Sequence, residues 1–135
     1  MSEQGNEQVV HQLYTAFGRG DMPGILDTLA EDIDWRFVGR PEDVPFAGHR
    51  RGHEQMEEFF GIVGETVEPL EFGPREVMSF EDKVLALGHE RVRVKATDRV
   101  FETDWAHLFT LSNGKIVRLR EFYDTATMAE AFRGG

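Results

Sequence analysis

Alternation of apolar and polar residues through the second half of the chain constrains its fold more than any other feature. From Glu68 onward, the stretches EVMSF, KVLALGHERVRVKA, VFETDWAHLFTL and KIVRLREFY repeat with a period of two. This period is typical of strands that bury one face, and turn-forming residues such as SNGK separate the stretches. The second half therefore predicts a meander of antiparallel strands.

The beginning of the chain has the period of helices instead. In NEQVVHQLYTAFGRG, apolar side chains form a one-sided stripe, and Asn6 is a candidate N-cap. Asp21 is suited to cap a second, short helix that carries Pro23 in its first turn. Two short helices are therefore expected before the first strand.

A strand, a loop and a third helix are expected next. IDWRFV alternates as a half-buried strand, and the Gly/Pro-rich VGRPEDVPFAGHRRG reads as a long loop. GHEQMEEFFGIVGETV carries a third helical stripe. At the end of the chain, Thr127 and Glu130 form a potential capping box for a last helical turn, and Asp124 is a simple cap for the same helix.

Three helices followed by a run of strands predict an α+β fold, in which the helices cover one face of a curved, mainly antiparallel sheet. An open cone of this kind encloses a pocket. A chain of 135 residues fits a single domain over residues 1–135.

Composition excludes several classes of function. The formal net charge of −10 disfavours nucleic acid and anionic membranes as partners. No apolar run is long enough to span a bilayer, and the start MSEQGNEQ lacks the pattern of a signal peptide, so a cytoplasmic protein is expected. With no Cys, the chain has neither a thiolate metal site nor a cysteine nucleophile.

The register of the last hairpin decides whether His107 and Glu121 share a face, because a slip of one residue reverses every side chain. A two-residue type I′ turn at Asn113-Gly114 pairs His107 with Arg120 and puts Glu121 on the opposite face. A type I turn with Gly114 as a bulge pairs Leu111 with residue 115 and makes His107 and Glu121 diagonal neighbours.

The side-chain pattern favours the bulge register. It gathers one aromatic and aliphatic face, interrupted only by His107 and Glu121, and it leaves Arg118 and Arg120 on the other face. The inner face then consists of Trp105, His107, Phe109, Leu111, Val117, Leu119, Glu121 and Tyr123. The outer face carries Leu108, Ile116 and Phe122, which suit a homodimer contact through that side of the sheet.

Three stretches carry a resemblance to a known family. LYTAFGRGDMPGILDTLAEDIDW, PFAGHRRGHEQMEEFFGIV and DWAHLFTLSNGKIVRLREFYDTATMAEAF resemble the SnoaL-like branch of the nuclear-transport-factor-two-like superfamily. That superfamily includes ketosteroid isomerase, polyketide cyclases and limonene epoxide hydrolase. The resemblance implies a cone of three helices on a strongly bent sheet, usually as a homodimer.

The catalytic residues of these relatives differ in how well they match the corresponding positions of this sequence. The base of ketosteroid isomerase falls at a position similar to Phe37, which cannot take a proton, and its oxyanion-hole Asp falls at or beside His107. Limonene epoxide hydrolase implies Arg91, but Arg93 stands where its acid would be. The His and Asp of SnoaL-like cyclases, on the last two strands, resemble His107 and Glu121 best.

These residues lead to a hypothesis of a cofactor-independent isomerase or cyclase, with His107 and Glu121 as acid-base groups acting on a small hydrophobic carbonyl compound. A non-catalytic ligand-binding or scaffold protein of the same fold is the alternative, in which the two side chains only satisfy each other. Aromatic and apolar residues are expected to line the pocket, although packing in the hydrophobic core would also explain them. They are Tyr14, Phe17, Trp35, Phe37, Met56, Phe60, Trp105, Phe109 and Tyr123.

For two further pairs of residues, a binding role and a purely structural role are both compatible with the sequence. Arg91 and Arg93 are candidates for holding an acidic ligand group, although Val84, Ala86, Val92 and Val94 form the more apolar face of their strand. His49 and His53 in HRRGH have a spacing seen among metal ligands, but no third ligand is evident nearby, so no metal is expected.

Overall fold

The computed structural model describes residues 2–133, which form four helices and one curled, unclosed six-stranded sheet. In chain order the elements are α1 Glu3–Gly18, α2 Met22–Asp27, β1 Leu29–Phe37, β2 Gly48–Arg51, α3 Gly52–Thr66, β3 Val67–Phe80, β4 Lys83–Val94, β5 Val100–Ser112, β6 Lys115–Tyr123 and α4 Thr125–Arg133. The predicted α+β fold is confirmed. The edge strand β2, within the stretch expected to be a loop, was missed.

Local signals explain where the helices begin. The Ser2 side chain accepts a hydrogen bond from Gly5 N, so Ser2 is the N-cap of α1, and the candidate Asn6 is buried inside the helix. Asp21 caps α2 as expected, through Gly24 N. Asp124 accepts from Thr127 N at the start of α4, so Asp124 is the cap there and the expected Thr127–Glu130 capping box is wrong.

The sheet has the strand order β2-β1-β6-β5-β4-β3, antiparallel except for the parallel pair of β1 and β6. The edge strand β3 has register shifts beside Pro69 and beside Pro74. Proline is tolerated on an edge strand because no ladder hydrogen bond needs its missing N–H, and bulges bend a sheet. The long strand therefore curls, and α1 and α3 pack on its concave side.

The last hairpin combines both turn features that the sequence offered. Asn113 and Gly114 have φ of 50° and 77°, as a type I′ turn requires, and Leu111 pairs with Ile116. A register shift beyond Ile116 then moves β6 by one residue, which places Glu121 directly opposite His107. The expected shared face is thus present, but the expected turn type and diagonal pairing are wrong.

The shift also changes the position of Ile116. This residue was expected on the outer face with Leu108 and Phe122, but it is fully buried, because the bulge at Val117 leaves both Ile116 and Leu119 on the core side. Phe122, which was also expected on the outer face, is 44% exposed there.

Candidate functional site

A small cavity opens between the helices and the concave face of the sheet. This inner cavity has a volume of about 80 Å³. Its walls are aromatic and aliphatic, and its polar side chains are Tyr14, Glu90, His107, Glu121 and Tyr123. The remaining lining residues are Leu13, Phe17, Trp35, Phe37, Phe46, Phe59, Phe60, Val63, Val67, Pro69, Phe72, Val92, Phe101, Leu119 and Met128.

A wider groove continues from the inner cavity toward solvent. This outer groove has a volume of about 720 Å³ and lies between α1, α3 and the first half of β3. The aromatic residues that it shares with the inner cavity are Tyr14, Phe17, Phe60 and Phe72. A molecule larger than the inner cavity could therefore place one end inside and the rest in the outer groove.

Four polar side chains form a connected network at the inner cavity. Tyr14 Oη lies 2.7 Å from His107 Nδ1, and Tyr123 Oη lies 2.9 Å from His107 Nε2. Tyr123 also donates to Glu121 Oε1 at 3.2 Å, and His107 Nε2 is 3.2 Å from the same oxygen. His107 and Glu121 are 3% and 6% exposed, so the network is shielded from water.

The donors in this network define the histidine tautomer. Tyr123 has one hydroxyl proton and gives it to Glu121, so its oxygen accepts from His107 Nε2–H. In the neutral imidazole ring, Nδ1 is then the acceptor of the Tyr14 hydroxyl. The hydrogen bonds run in one direction, from Tyr14 through His107 and Tyr123 to Glu121.

Glu121 has a further donor, and His107 has a stacking partner. Trp35 Nε1 donates to Glu121 Oε2 at 2.8 Å, so both carboxylate oxygens accept hydrogen bonds. The ring of His107 stacks on Trp105, with centroids 3.9 Å apart and an interplanar angle of 15°. These contacts fix both side chains against the wall of the inner cavity.

Both tyrosine hydroxyls remain neutral donors over the physiological range. Burial, followed by the nearby Glu121 charge, raises the pKa of Tyr14. Burial and then the same charge also raise the pKa of Tyr123. A phenol with a raised pKa keeps its proton, so it can donate a hydrogen bond without ionising.

Glu90 is a second buried carboxyl in the inner cavity, and it was not among the site residues predicted from the sequence. It is 6% exposed, and burial, followed by repulsion from Glu121, raises its pKa to about 8. The sequence does contain a signal that Glu90 is buried. Val84, Ala86, Val92 and Val94 occupy every second position on the buried face of β4, and Glu90 falls on the same alternation. The aromatic lining residues that were also missed are Phe46, Phe59, Phe72 and Phe101.

The predicted ligand-binding residues fall into three groups. Those that line the inner cavity are Tyr14, Phe17, Trp35, Phe37, Phe60 and Tyr123. Three others, Met56, Trp105 and Phe109, are buried but do not line it, so they belong to the core behind the wall.

Arg91 and Arg93 form the third group, and the prediction that they hold an acidic ligand group is wrong. They alternate with the buried Glu90 and Val92, so they lie on the other face of β4. Arg93 forms ion pairs there with Glu68 and Asp98, each at 3.0 Å.

The two histidines of HRRGH have protein partners. His49 Nε2 contacts Asp34 Oδ1, and His53 Nε2 lies 3.0 Å from the Leu29 carbonyl oxygen. Across residues 2–133, no group of three or more His, Cys, Asp or Glu side chains is arranged to hold a metal ion. No helix in the same residues is long and apolar enough to cross a membrane.

Gly88 allows Trp105 to reach its position beside His107. A Cβ atom on Gly88 would lie 2.2 Å from Trp105 Cζ2 and 2.5 Å from the Gly73 carbonyl oxygen. We expect Gly88→Ala to lower the free energy of unfolding by about 1–3 kcal/mol or more, since the indole must move. Urea unfolding measures this change.

Gly61→Ala is the matched control for Gly88→Ala. Gly61 lies in α3 with open space around its Cβ position, so alanine should stabilise the helix by up to about 1 kcal/mol. A Gly88→Ala protein as stable as the wild type would contradict the packing of Trp105 over Gly88.

Comparisons with known proteins agree with this architecture. A family model described as the SnoaL-like domain matches residues 10–119. The chain is 28% identical over 134 residues to an uncharacterized protein of Mycobacterium tuberculosis H37Rv, covering 98% of either chain. The crystal structure of an NTF2-like protein from Burkholderia xenovorans LB400 superposes with a TM-score of 0.88 and 38% identity, covering 97% of this chain and 98% of that one.

A further similar structure is that of TerC co-crystallized with polyporic acid. It has a TM-score of 0.86 and 24% identity, and covers 96% of this chain and 98% of its own. At this identity the likeness extends to the fold alone.

Proposed function

Since the chain belongs to the SnoaL-like domain family, we propose that its inner cavity binds a small, largely apolar carbonyl compound and moves a proton on and off the carbon beside the carbonyl. No cofactor takes part in this reaction. The observation that carries the proposal is the buried Glu121 carboxylate, which is held by Trp35 and Tyr123 at the wall of an aromatic cavity.

Glu121 acts as the base in this reaction. An ionised carboxylate has about four acceptor positions, so lone pairs remain after the bonds from Trp35 and Tyr123 are made. The C–H bond of the substrate breaks, its proton moves to Glu121, and the electron pair passes through the carbon to the carbonyl oxygen as an enolate. Return of the proton to the same carbon gives exchange, and its delivery to another carbon gives isomerisation. Ring closure follows when the enolate carbon instead forms a bond to a second carbonyl carbon of the same molecule and the proton passes to the oxygen of that carbonyl.

His107 has a positioning role in this scheme. Its two ring nitrogens already bond to Tyr14 and Tyr123, so it acts on the reaction through Tyr123, by orienting the carboxylate of Glu121. This differs from the expectation that His107 itself exchanges a proton with the substrate.

The hydrogen bonds that His107 and Glu121 make within the protein also favour a second candidate function. Satisfied buried groups stabilise a fold without doing chemistry, so the cavity of a non-catalytic ligand-binding protein would look the same. The two candidates differ in one measurable property, because only the enzyme accelerates proton transfer.

Hydrogen–deuterium exchange tests the proposal. Acetophenone is a small aromatic ketone whose methyl protons can exchange through an enol. In D₂O at neutral pH, we expect the protein to accelerate loss of the methyl proton signal, and the rate should saturate with ketone concentration. Binding of acetophenone without acceleration would instead support the non-catalytic function.

The outer face of the sheet supports a proposal about assembly. Leu85, Leu87 and Leu108 lie on this face in paired strands, beside Phe122, and none of them faces the inner cavity. Phe122 lies opposite Ala106, and Leu108 lies opposite both Leu85 and Arg120. We propose that a second copy of the chain packs on this row, related by a two-fold axis.

We expect Phe122→Glu to halve the mass measured by sedimentation at micromolar concentration, because the new charge would be buried in the dimer contact. Phe80→Glu is the control, since Phe80 is 69% exposed at the end of β3, outside this row. A wild-type protein that sediments as a monomer would rule out the dimer.

A further inference from the structure

Glu90 occupies a position in which a carboxyl group needs a partner. Its side chain projects from the buried face of β4 into the inner cavity, with Phe72 and Thr103 as its neighbours in the adjacent strands. Only 6% of the residue is exposed, so its carboxyl faces the inner cavity and not bulk water.

The surrounding protein gives Glu90 no such partner. Among residues 2–133, no hydrogen bond to its carboxyl is found, and none contributes to its pKa. The nearest polar neighbour in β5 is already used, because the Thr103 hydroxyl donates to the Asp104 carbonyl and accepts from Asp124 N. Glu90 differs in this respect from Tyr14, His107, Glu121 and Tyr123, which are bonded to one another.

The charges around the inner cavity favour the neutral form of Glu90. The titratable groups that face it are Tyr14 from α1, His107 from β5, and Glu121 and Tyr123 from β6. None of the described lining residues is Lys or Arg. Burial and then the Glu121 charge raise the pKa of Glu90 to about 8, so at pH 7 it is a carboxylic acid with one O–H to donate.

We propose that Glu90, as a neutral carboxylic acid, donates a hydrogen bond to the oxygen of the ligand and so makes the inner cavity select neutral carbonyl compounds. The inference deepens the proposed function and rests on it, since it concerns a ligand in the same cavity. In the enolisation step, the same O–H stabilises the negative charge that develops on the carbonyl oxygen while Glu121 takes the proton. Glu90 and Glu121 thereby have opposite roles, one as donor and one as base.

Four probes that share a benzene ring test the selectivity. Acetophenone has a carbonyl, ethylbenzene has the same shape without oxygen, 1-phenylethylamine is a cation and benzoate is an anion. Affinities are measured at pH 7 by following amide signals in NMR titrations. We expect acetophenone to bind about tenfold more tightly than ethylbenzene, which corresponds to the free energy of one hydrogen bond. Benzoate should bind more weakly than both, since the Glu121 carboxylate repels it and no Lys or Arg is among the described residues that line the cavity.

Each outcome of this comparison decides the proposal. Equal affinities for acetophenone and ethylbenzene would overturn the role of Glu90 while leaving a ligand-binding cavity in place. Binding of 1-phenylethylamine that is tightest of the four in the wild type but is lost in Glu90→Gln would show that Glu90 is ionised and attracts a cation. Failure of all four to bind up to their solubility would overturn the proposed function and this inference together.

Two substitutions at Glu90 refine the test. Glu90→Gln keeps an N–H donor that cannot ionise, so it should bind acetophenone within about threefold of the wild type and keep that affinity up to pH 9. The wild type should lose about tenfold over the same range as the donor ionises. Glu90→Leu should bind acetophenone and ethylbenzene equally.

Arg91→Gln is the control, since it lies one residue away on the opposite face of β4 and should leave all affinities unchanged. Wild-type affinity for acetophenone in Glu90→Leu would overturn the proposal.

Discussion

Replacing Glu121 with Gln is expected to slow exchange of the acetophenone methyl protons by about a hundredfold to ten-thousandfold, which is the range lost when a general base is removed. Gln has the same shape and can still accept the hydrogen bond from Trp35 Nε1 through its amide oxygen. It has no carboxylate to take a proton from carbon. The rate is measured by proton NMR in D₂O with saturating ketone.

The affinity for acetophenone separates this loss from a loss of binding. We expect it to change less than about threefold in Glu121→Gln, because the carbonyl oxygen is bound elsewhere in the cavity. Glu57→Gln is the matched control, with the same chemical change at an exposed position of α3. Equal exchange rates in wild type and Glu121→Gln would remove Glu121 from the reaction.

A second large effect is expected in the pH dependence of stability. The pKa of Glu90 is about 8 in the folded protein, compared with an ordinary value of 4.5 for an exposed chain. Between these values the folded protein holds a proton that the unfolded chain has released. Stability from Glu90 is therefore fully present below about pH 4.5, falls as pH rises, and is lost above about pH 8, by up to about 5 kcal/mol.

Glu90→Gln removes this dependence because an amide does not titrate. Compared with the wild type at equal protein concentration, the variant should be more stable by several kcal/mol at pH 8 and of similar stability near pH 4.5. Urea unfolding at a series of pH values measures the difference, and subtraction of the two curves cancels the other titrating groups. A difference that stays constant from pH 5 to pH 8 would mean that Glu90 ionises like an exposed carboxyl.

The curled sheet and its covering helices could be predicted because the spacing of apolar residues along the chain indicates strands and helices without any knowledge of long-range contacts. Alternation from Glu68 onward marked β3 to β6, and helical stripes marked α1 and α3. The strand β2 was missed because its four residues, GHRR, pair only with β1 and have no apolar face of their own. Such an edge strand depends on the partner that it meets in the fold.

The shared face of His107 and Glu121 was predicted correctly, although the turn was not. The requirement that one face of the hairpin be apolar depends on sequence alone, so it identified the parity. The bulge at Val117 that reconciles this parity with a type I′ turn has no signature in KIVRL. The alternation of apolar residues therefore predicted which face of the hairpin carries His107 and Glu121. The direct pairing of these two residues and the burial of Ile116 could be seen only in the structure.

The charged residues of β4 show that residue type alone does not predict which face of a strand a side chain occupies. Parity with Val84 and Val92 places Glu90 inside and Arg91 and Arg93 outside. A glutamate in a charged stretch such as HERVR looks like a solvent-facing residue, because buried carboxyls are rare. The division of aromatic residues between wall and core, such as Phe59 against Phe109, depends on the curl of the sheet and cannot be predicted from spacing.

A crystal structure of the protein with acetophenone tests most directly the central claim that Glu90 and Glu121 act on the two sides of one carbonyl group. We predict the ketone oxygen at about 2.6–3.2 Å from the Glu90 carboxyl and the methyl carbon at about 3–3.5 Å from a Glu121 oxygen. A ketone confined to the outer groove, or one bound in the inner cavity with its oxygen turned away from Glu90 and its methyl group away from Glu121, would contradict the claim.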